Sequence, residues 1–252
     1  MNLARHEQII KIMEKQHTVS VRYLAQALDC TEMTIRRNLD QLQEQGIVKR
    51  EHGYAYLLSS HISSDFDQLH GEHMAEKKAL ARAALELIRP GMSICLDSGT
   101  TIQQLVEIIP DDFPLSVITS SLTAAMTISN KKSIQILMPG GFLHHRNRSL
   151  LIDDAQELQR YQSDISFLAC QSFQIPGGTF EYSQTLTNTK RALVSVARKN
   201  VLMLDYTKWN VSSIFNCIPL EQIDTIITDD KAPSDLVEKA RSFGKEIIIC
   251  TC

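Results

Sequence analysis

The sequence predicts an α/β protein built in two parts, a small helical head followed by a larger, mostly parallel α/β body. Three observations carry this. Between positions 19 and 55 two short helical patterns, a tight turn between them and a basic hairpin succeed one another. Beyond position 90, seven short apolar runs recur, separated by stretches of helical periodicity. Between these regions lies a polar segment with no sustained period. Short buried strands alternating with helices argue for a parallel sheet covered on both faces. The expected division is therefore a head over 1–57, a linker over 58–71 and an α/β body over 72–252.

In the head, Ile9, Ile12 and Met13 mark an amphipathic N-terminal helix. Ser20 is placed to cap a helix containing Leu24 and Leu28, and after the turn Asp29-Cys30-Thr31 the Thr31 hydroxyl is placed to cap the next, because each side-chain oxygen can accept from an otherwise orphan amide. Ile35, Leu39 and Leu42 recur at helical spacing and face the core, which turns Glu32, Met33, Arg36, Arg37 and Asp40 outward. Gly46, then Lys49 and Arg50, lead to His52-Gly53-Tyr54-Ala55 as a hairpin. This is the element order of a winged helix-turn-helix, in which the second helix enters the major groove and the wing touches the backbone. The expected DNA-contacting residues are Ser20, Thr31, Met33, Thr34, Arg36, Arg37, Lys49, Arg50 and His52. Arg36 and Arg37 project about 100° apart around the helix axis, so one can address a base edge while the other reaches a phosphate. An isolated arginine pair would simply solvate a helix; the surrounding pattern is what points to DNA.

Charge adds a constraint. The first 58 residues carry 8 Lys plus Arg against 7 Asp plus Glu, and the remainder 18 against 22. Non-specific affinity comes mainly from neutralised phosphates, so a single head should bind weakly. Pairing heads raises the effective concentration of the second contact, and a homo-oligomer is expected.

The body opens with an Ala- and Leu-rich helical pattern from Glu72 to Arg89, stopped by Pro90-Gly91. The strand-like runs follow at 93–97, 115–119, 134–138, 165–169, 201–205, 224–228 and 246–250. On open α/β sheets, ligands sit beyond the carboxyl ends of the strands, and several groups fall there. Asp97-Ser98-Gly99-Thr100-Thr101 follows a strand and opens a helix, offering bare backbone, hydroxyls and free amides to an anion. The same turn also serves as a plain capped helix start. Thr119-Ser120-Ser121 and Pro139-Gly140-Gly141, the latter with Arg146 and Arg148 close behind, end two further strands. Asp205-Tyr206-Thr207-Lys208 places a lysine at another. Lys190, on the preceding helix, either reaches that region or is solvated. The candidate effector residues are thus Asp97, Ser98, Gly99, Thr100, Thr101, Ser120, Ser121, Gly140, Gly141, Arg146, Lys190 and Lys208. No histidine stands at a strand end to form a nucleophile, base and orienter set, so no catalytic residues are expected.

A composition of 43% hydrophobic and 22% charged residues over 252 positions is that of a soluble globular protein. The six cysteines are scattered, with no CxxC and no histidine at zinc-ligand spacing. Reduced thiols, no metal and no cofactor are expected. With no long apolar span and no cleavable signal pattern, the expected location is the cytoplasm and no membrane partner is expected.

Taken together, Val19-Ser20-Val21, Leu24-Ala25, Thr34-Ile35-Arg36-Arg37, Leu39, Leu42, Gly46, Arg50 and His52-Gly53, with Glu76-Lys77, the 97–101 loop, Gly140-Gly141, Lys190 and 205–208, resemble the DeoR-type bacterial transcription regulators over nearly the whole chain. The resemblance implies a sensor similar to ribose-5-phosphate isomerase, adapted to bind a phosphorylated metabolite and release operator DNA. It also implies that the 98–101 loop holds the phosphate and that Lys208 lies in the pocket. Departures fall mostly in the body: Thr119-Ser120-Ser121 stands for the family's Thr-Asn-Ser, Ala169-Cys170-Gln171-Ser172 for Gly-Ala-Asp-Gly, and Asn188-Thr189 precede Lys190 where an acid is usual. These losses weaken the expectation of sugar-hydroxyl recognition and leave the phosphate cradle intact. The expected function is a repressor of a carbohydrate uptake or catabolic operon. The alternatives are a sugar-phosphate isomerase or deaminase tethered to DNA, and a regulator that has lost small-molecule sensing.

Overall fold

The computed structural model describes residues 5–6, 8–10, 12–13, 18–44, 47–51, 53–57, 66–152, 155–211 and 213–252. Gly46, His52 and the first part of the expected linker, 58–65, lie outside the described residues. The chain divides into two compact units, residues 1–63 with 212–214 and residues 64–211 with 215–252.

In the first unit the described residues between 5 and 13 are helical. Then follow β1 (Thr18–Ser20), α1 (Val21–Ala27), α2 (Glu32–Glu44), β2 (Val48–Glu51) and β3 (Tyr54–Leu57). The three strands form an antiparallel sheet in the order β1-β3-β2. Both caps form as their chemistry dictates: Ser20 Oγ accepts from the Tyr23 amide at 3.1 Å and Thr31 Oγ1 from the Thr34 amide at 3.2 Å. Asp29 turns the chain between the helices with a left-handed φ of 46°, a conformation that a short polar side chain tolerates. Ile35, Leu39 and Leu42 are fully buried with Ile9, Met13, Leu24 and Ile47, each worth about 1.5–3 kcal/mol when removed from water. That stripe fixes which face of α2 stays open.

The second unit begins with α3 (Phe66–Gly71) and α4 (Met74–Leu85), followed by β4 (Ser93–Leu96), α5 (Thr100–Ile108), β5 (Leu115–Thr119), α6 (Leu122–Ile128), β6 (Ile134–Leu137), β7 (Phe142–His144) and β8 (Ser149–Leu151). Next come β9 (Ile165–Leu168), β10 (Ser172–Gln174), β11 (Gly178–Glu181), α7 (Gln184–Ser195), β12 (Asn200–Met203), β13 (Phe215–Asn216), β14 (Thr225–Asp229), α8 (Ser234–Ser242) and β15 (Glu246–Cys250). The seven apolar runs become one seven-stranded parallel sheet, ordered β15-β14-β12-β9-β4-β5-β6. The three strands β10, β11 and β13 form a small antiparallel sheet, and β7 pairs with β8 as a hairpin.

Two expectations change here. The second half of the segment read as linker is helical: Phe66 is buried, its ring stacked on His70, with the Arg148 guanidinium 5.3 Å from its centroid. The expected helix from Glu72 to Arg89 is shorter, since His73 takes a left-handed φ of 50° just before α4. All six cysteines are free thiols. Burial pushes Cys95 up to about 11 and Cys217 up to about 12, which keeps them protonated and inert.

Candidate functional site

The head presents the outer face of α2 much as its pattern requires. Met33 is 80% exposed, a large apolar side chain left in water at the start of the helix. Arg37 is exposed and has no partner among the described residues. Arg36 pairs with Glu32 at 3.0 Å on an open surface, a contact worth only about 0.2–1 kcal/mol and easily exchanged for another anion. Thr34 shares a 2.9 Å hydrogen bond with Thr31.

Arg50 departs from expectation. Alternation along the strands sets Val19, Val48, Arg50 and Ala55 on one face and Thr18, Lys49 and Tyr56 on the other. Val19, Val48 and Ala55 are buried, so Arg50 points toward the helices, where its guanidinium donates to the Asp40 carboxylate and to the Arg36 carbonyl at 3.5 Å. Its backbone N–H donates to Gln43 Oε1 at 2.9 Å. In this arrangement the Arg50 guanidinium ties the wing to α2 through a partly exposed pair. Lys49, one residue earlier, is exposed on the opposite face.

In the body the winding of the sheet locates the site. From β4 the chain proceeds to β5 and β6 on one side, then returns to β9 on the other. The order reverses between β4 and β9, and ligands bind outside the carboxyl ends of strands at such a switch point. A recess of about 70 Å³ lies there, lined by Ser98, Gly99, Thr100 and Thr101 after β4 and by Ala169, Cys170 and Gln171 after β9. Gly99 adopts φ 127° and ψ 165°, a region essentially reserved for glycine. Asp97 fixes this loop from below: Oδ1 accepts the Ser98 amide at 2.7 Å and Oδ2 the Ala169 amide at 3.1 Å.

Three lysines also line the recess, Lys77, Lys190 and Lys208. Lys208 ends a short 3₁₀ turn, Tyr206–Lys208, capped by Asp205, and makes no ion pair with any described residue. Lys77 on α4 is buried and donates to the Leu69 carbonyl at 2.5 Å. Burial drives its ammonium down to about 8, with Lys208 adding to the effect and Asp205 opposing it. Lys77 appeared in the sequence as part of a motif without a role; only the packing of α4 brings it to the recess.

Lys190 is neither solvated nor available. Its Nζ is 2.9 Å from Asp97 Oδ2, 2.7 Å from Glu181 Oε1 and 2.6 Å from the Ala169 carbonyl, so its three N–H donors are all used. Burial works against the charge, but Asp97 and Glu181 together hold its pKa well above the usual lysine range. Glu181, at the end of β11, is the carboxylate that sequence reasoning missed. It also accepts the Gln171 amide through Oε1 at 3.3 Å, and burial pushes its pKa up despite Lys190. Asn147 and Tyr182 close the recess beside it, joined through the Tyr182 hydroxyl at 3.1 Å.

Other expected effector residues stand elsewhere. Ser120, Ser121, Gly140, Gly141 and Arg146 are not among the residues lining the recess. Ser121 caps α6 through the Ala124 amide. Gly141, at φ 146°, lies so close to the Leu151 carbonyl that a Cβ would collide with it. The Arg146 carbonyl accepts the Phe66 amide at 3.0 Å.

Residues 5–61 match the DeoR-like helix-turn-helix domain and residues 72–230 the DeoR C terminal sensor domain. The transcriptional regulator GolR of Listeria innocua is 30% identical over 97% of this chain and 97% of its own. The glycerol-3-phosphate regulon repressor of Escherichia coli K12 is 26% identical over 98% of each, and the repressor CsqR of the same organism 26% over 97% of this chain and 94% of its own. Among solved structures, a ribose 5-phosphate isomerase A of Methanocaldococcus jannaschii aligns over 53% of each chain at 18% identity and a TM-score of 0.40. With both of its parts matched in order, the chain belongs to the DeoR family of helix-turn-helix transcription regulators.

Proposed function

We propose that this protein represses a carbohydrate uptake or catabolic operon, and that a phosphorylated sugar or related metabolite in the recess weakens its hold on operator DNA. One observation carries the ligand class: at the switch point of the sheet, a loop with glycine-only backbone geometry meets Lys77 and Lys208 in a single recess. Free amides at the start of α5, adjacent hydroxyls and two ammonium groups suit a phosphomonoester dianion. The relative whose name refers to a glycerol-3-phosphate regulon favours the same class. Operator contact is assigned to Met33, Thr34, Arg36, Arg37 and Lys49, with Arg50 holding the wing in place. The chain acts as a homo-oligomer in the cytoplasm and turns over no substrate. The mechanism is differential affinity, in which effector favours a state whose paired heads no longer match their half-sites.

The test is a thermal-shift screen of the full-length protein against matched phosphorylated and unphosphorylated sugars, since a ligand selective for the folded state raises its stability. Stabilisation by phosphorylated members only, lost in Lys208→Met, is the expected result. A flat response across the panel removes the sensing function.

A further inference from the structure

The recess brings groups of opposite charge together. Lys77 and Lys208 line it with the 98–101 loop. Two carboxylates share one ammonium beside them: Lys190, which also lines the recess, stands between Asp97 and Glu181, whose side chains are only 1% and 4% exposed. Asp97 has both oxygens engaged, by the Ser98 amide on one side and by Lys190 and the Ala169 amide on the other. Glu181 does not. Its Oε1 takes Lys190 and the Gln171 amide, while its Oε2 has no hydrogen-bond partner among the described residues, although the residue is 97% buried and lines the recess. That oxygen is open to the recess rather than sealed in the interior, so a donor on a ligand can reach it. Asp97 and Glu181 against the single Lys190 give the cluster one formal negative charge.

We infer that Glu181 reads a positively charged amine on the ligand, so that the effector is an amino-sugar phosphate, or a phosphomonoester of the same bipolar kind, rather than a neutral sugar phosphate. This rests on the reading of the recess as a phosphate site. The two charge deficits are then met by one molecule: a dianion between Lys77 and Lys208, and an ammonium group donating to Glu181 Oε2. A hydroxyl supplies a donor there but leaves the excess charge in place, whereas an ammonium supplies both. The carboxylate expected beside Lys190 in the helix, where Asn188 and Thr189 stand, is in effect supplied from β11, and its free oxygen faces ligand space instead of being used up.

The experiment is isothermal titration of the full-length protein with matched pairs, glucosamine 6-phosphate against glucose 6-phosphate and galactosamine 6-phosphate against galactose 6-phosphate, with N-acetylglucosamine 6-phosphate and inorganic phosphate as references. A hydrogen bond to a charged partner corresponds to a preference of roughly 10- to 100-fold for the amine. Glu181→Gln keeps the shape and removes the charge, so it should bring each pair to nearly equal affinity. Equal affinities within the wild-type pairs overturn the inference without any variant being needed, and so does an amine preference that survives in Glu181→Gln. If neither inorganic phosphate nor any sugar phosphate binds the wild type, the phosphate reading of the recess falls, and this inference with it. Binding of all phosphates without discrimination leaves that reading standing and removes only the role of Glu181.

Discussion

Glu181 Oε1 lies 2.7 Å from Lys190 Nζ, in an interior where both side chains are more than nine-tenths buried. Lys190 is therefore a structural cation that holds two carboxylates, and its role differs in kind from that of Lys208 on the same recess. Removing one partner of a buried ionic cluster typically costs 3–5 kcal/mol, because it leaves uncompensated charge inside. Lys190→Met should lower the unfolding free energy by about that amount in urea titration, whereas Lys208→Met should leave the urea midpoint nearly unchanged. A Lys190→Met protein as stable as the wild type contradicts the assignment.

The wing yields a second contrast. Lys49 faces outward, while Arg50 is tied to Asp40 and to the backbone of α2. Loss of a phosphate contact reduces the salt slope of binding by about 1. Lys49→Ala should reduce the slope by about that amount. Arg50→Ala should weaken operator binding at every salt concentration without changing the slope, because it loosens the wing and releases no counterion. Fluorescence anisotropy between low and moderate salt separates the two; a slope change in Arg50→Ala and none in Lys49→Ala reverses the assignment.

A third prediction concerns pH. Burial holds the Lys77 pKa down to about 8, and a bound dianion favours the charged form, raising that value. Near pH 7 Lys77 is already largely charged, so its own contribution to phosphate binding changes little there. As pH rises above about 8 the affinity should fall, by up to tenfold per unit, with proton uptake on binding. Titration calorimetry in buffers of different ionisation enthalpy reads this uptake directly, and Lys77→Met should abolish it. Glu72, Glu76, Asp205 and Lys208 surround the group and are unchanged in that variant. Proton uptake persisting in Lys77→Met would place the titration elsewhere.

Gly99→Val tests the loop itself. At φ 127° a β-branched residue is strained, so the loop must refold away from its anion-binding form. Operator binding by the head should persist while release by phosphorylated ligand is lost. An unaltered response shows that the anion binds elsewhere.

The sequence was most readable where one face of an element is buried and the other is not. Ile35, Leu39 and Leu42 announced the inner face of α2, and each apolar run became a strand of the parallel sheet. β1 escaped notice because three residues are too few for a period to register. Composition records a basic wing but not its alternation, and one residue of offset separates the outward Lys49 from Arg50, which pairs with Asp40. The recess was half legible. The 98–101 loop and Lys208 follow their strands directly, so local order placed them. Lys77 and Glu181 arrive through the packing of α4 and through a small antiparallel sheet, and neither relationship leaves a spacing in the sequence.

The most direct test of the account is operator release. The full-length protein is titrated on a fluorescently labelled operator, recovered by in vitro selection with the same protein, in the presence of phosphorylated sugars and their unphosphorylated counterparts. The account predicts that phosphorylated members alone lower DNA affinity, and that Gly99→Val and Lys208→Met bind the operator normally but resist release. Release by unphosphorylated sugars to the same extent, or undiminished release from both variants, would contradict it.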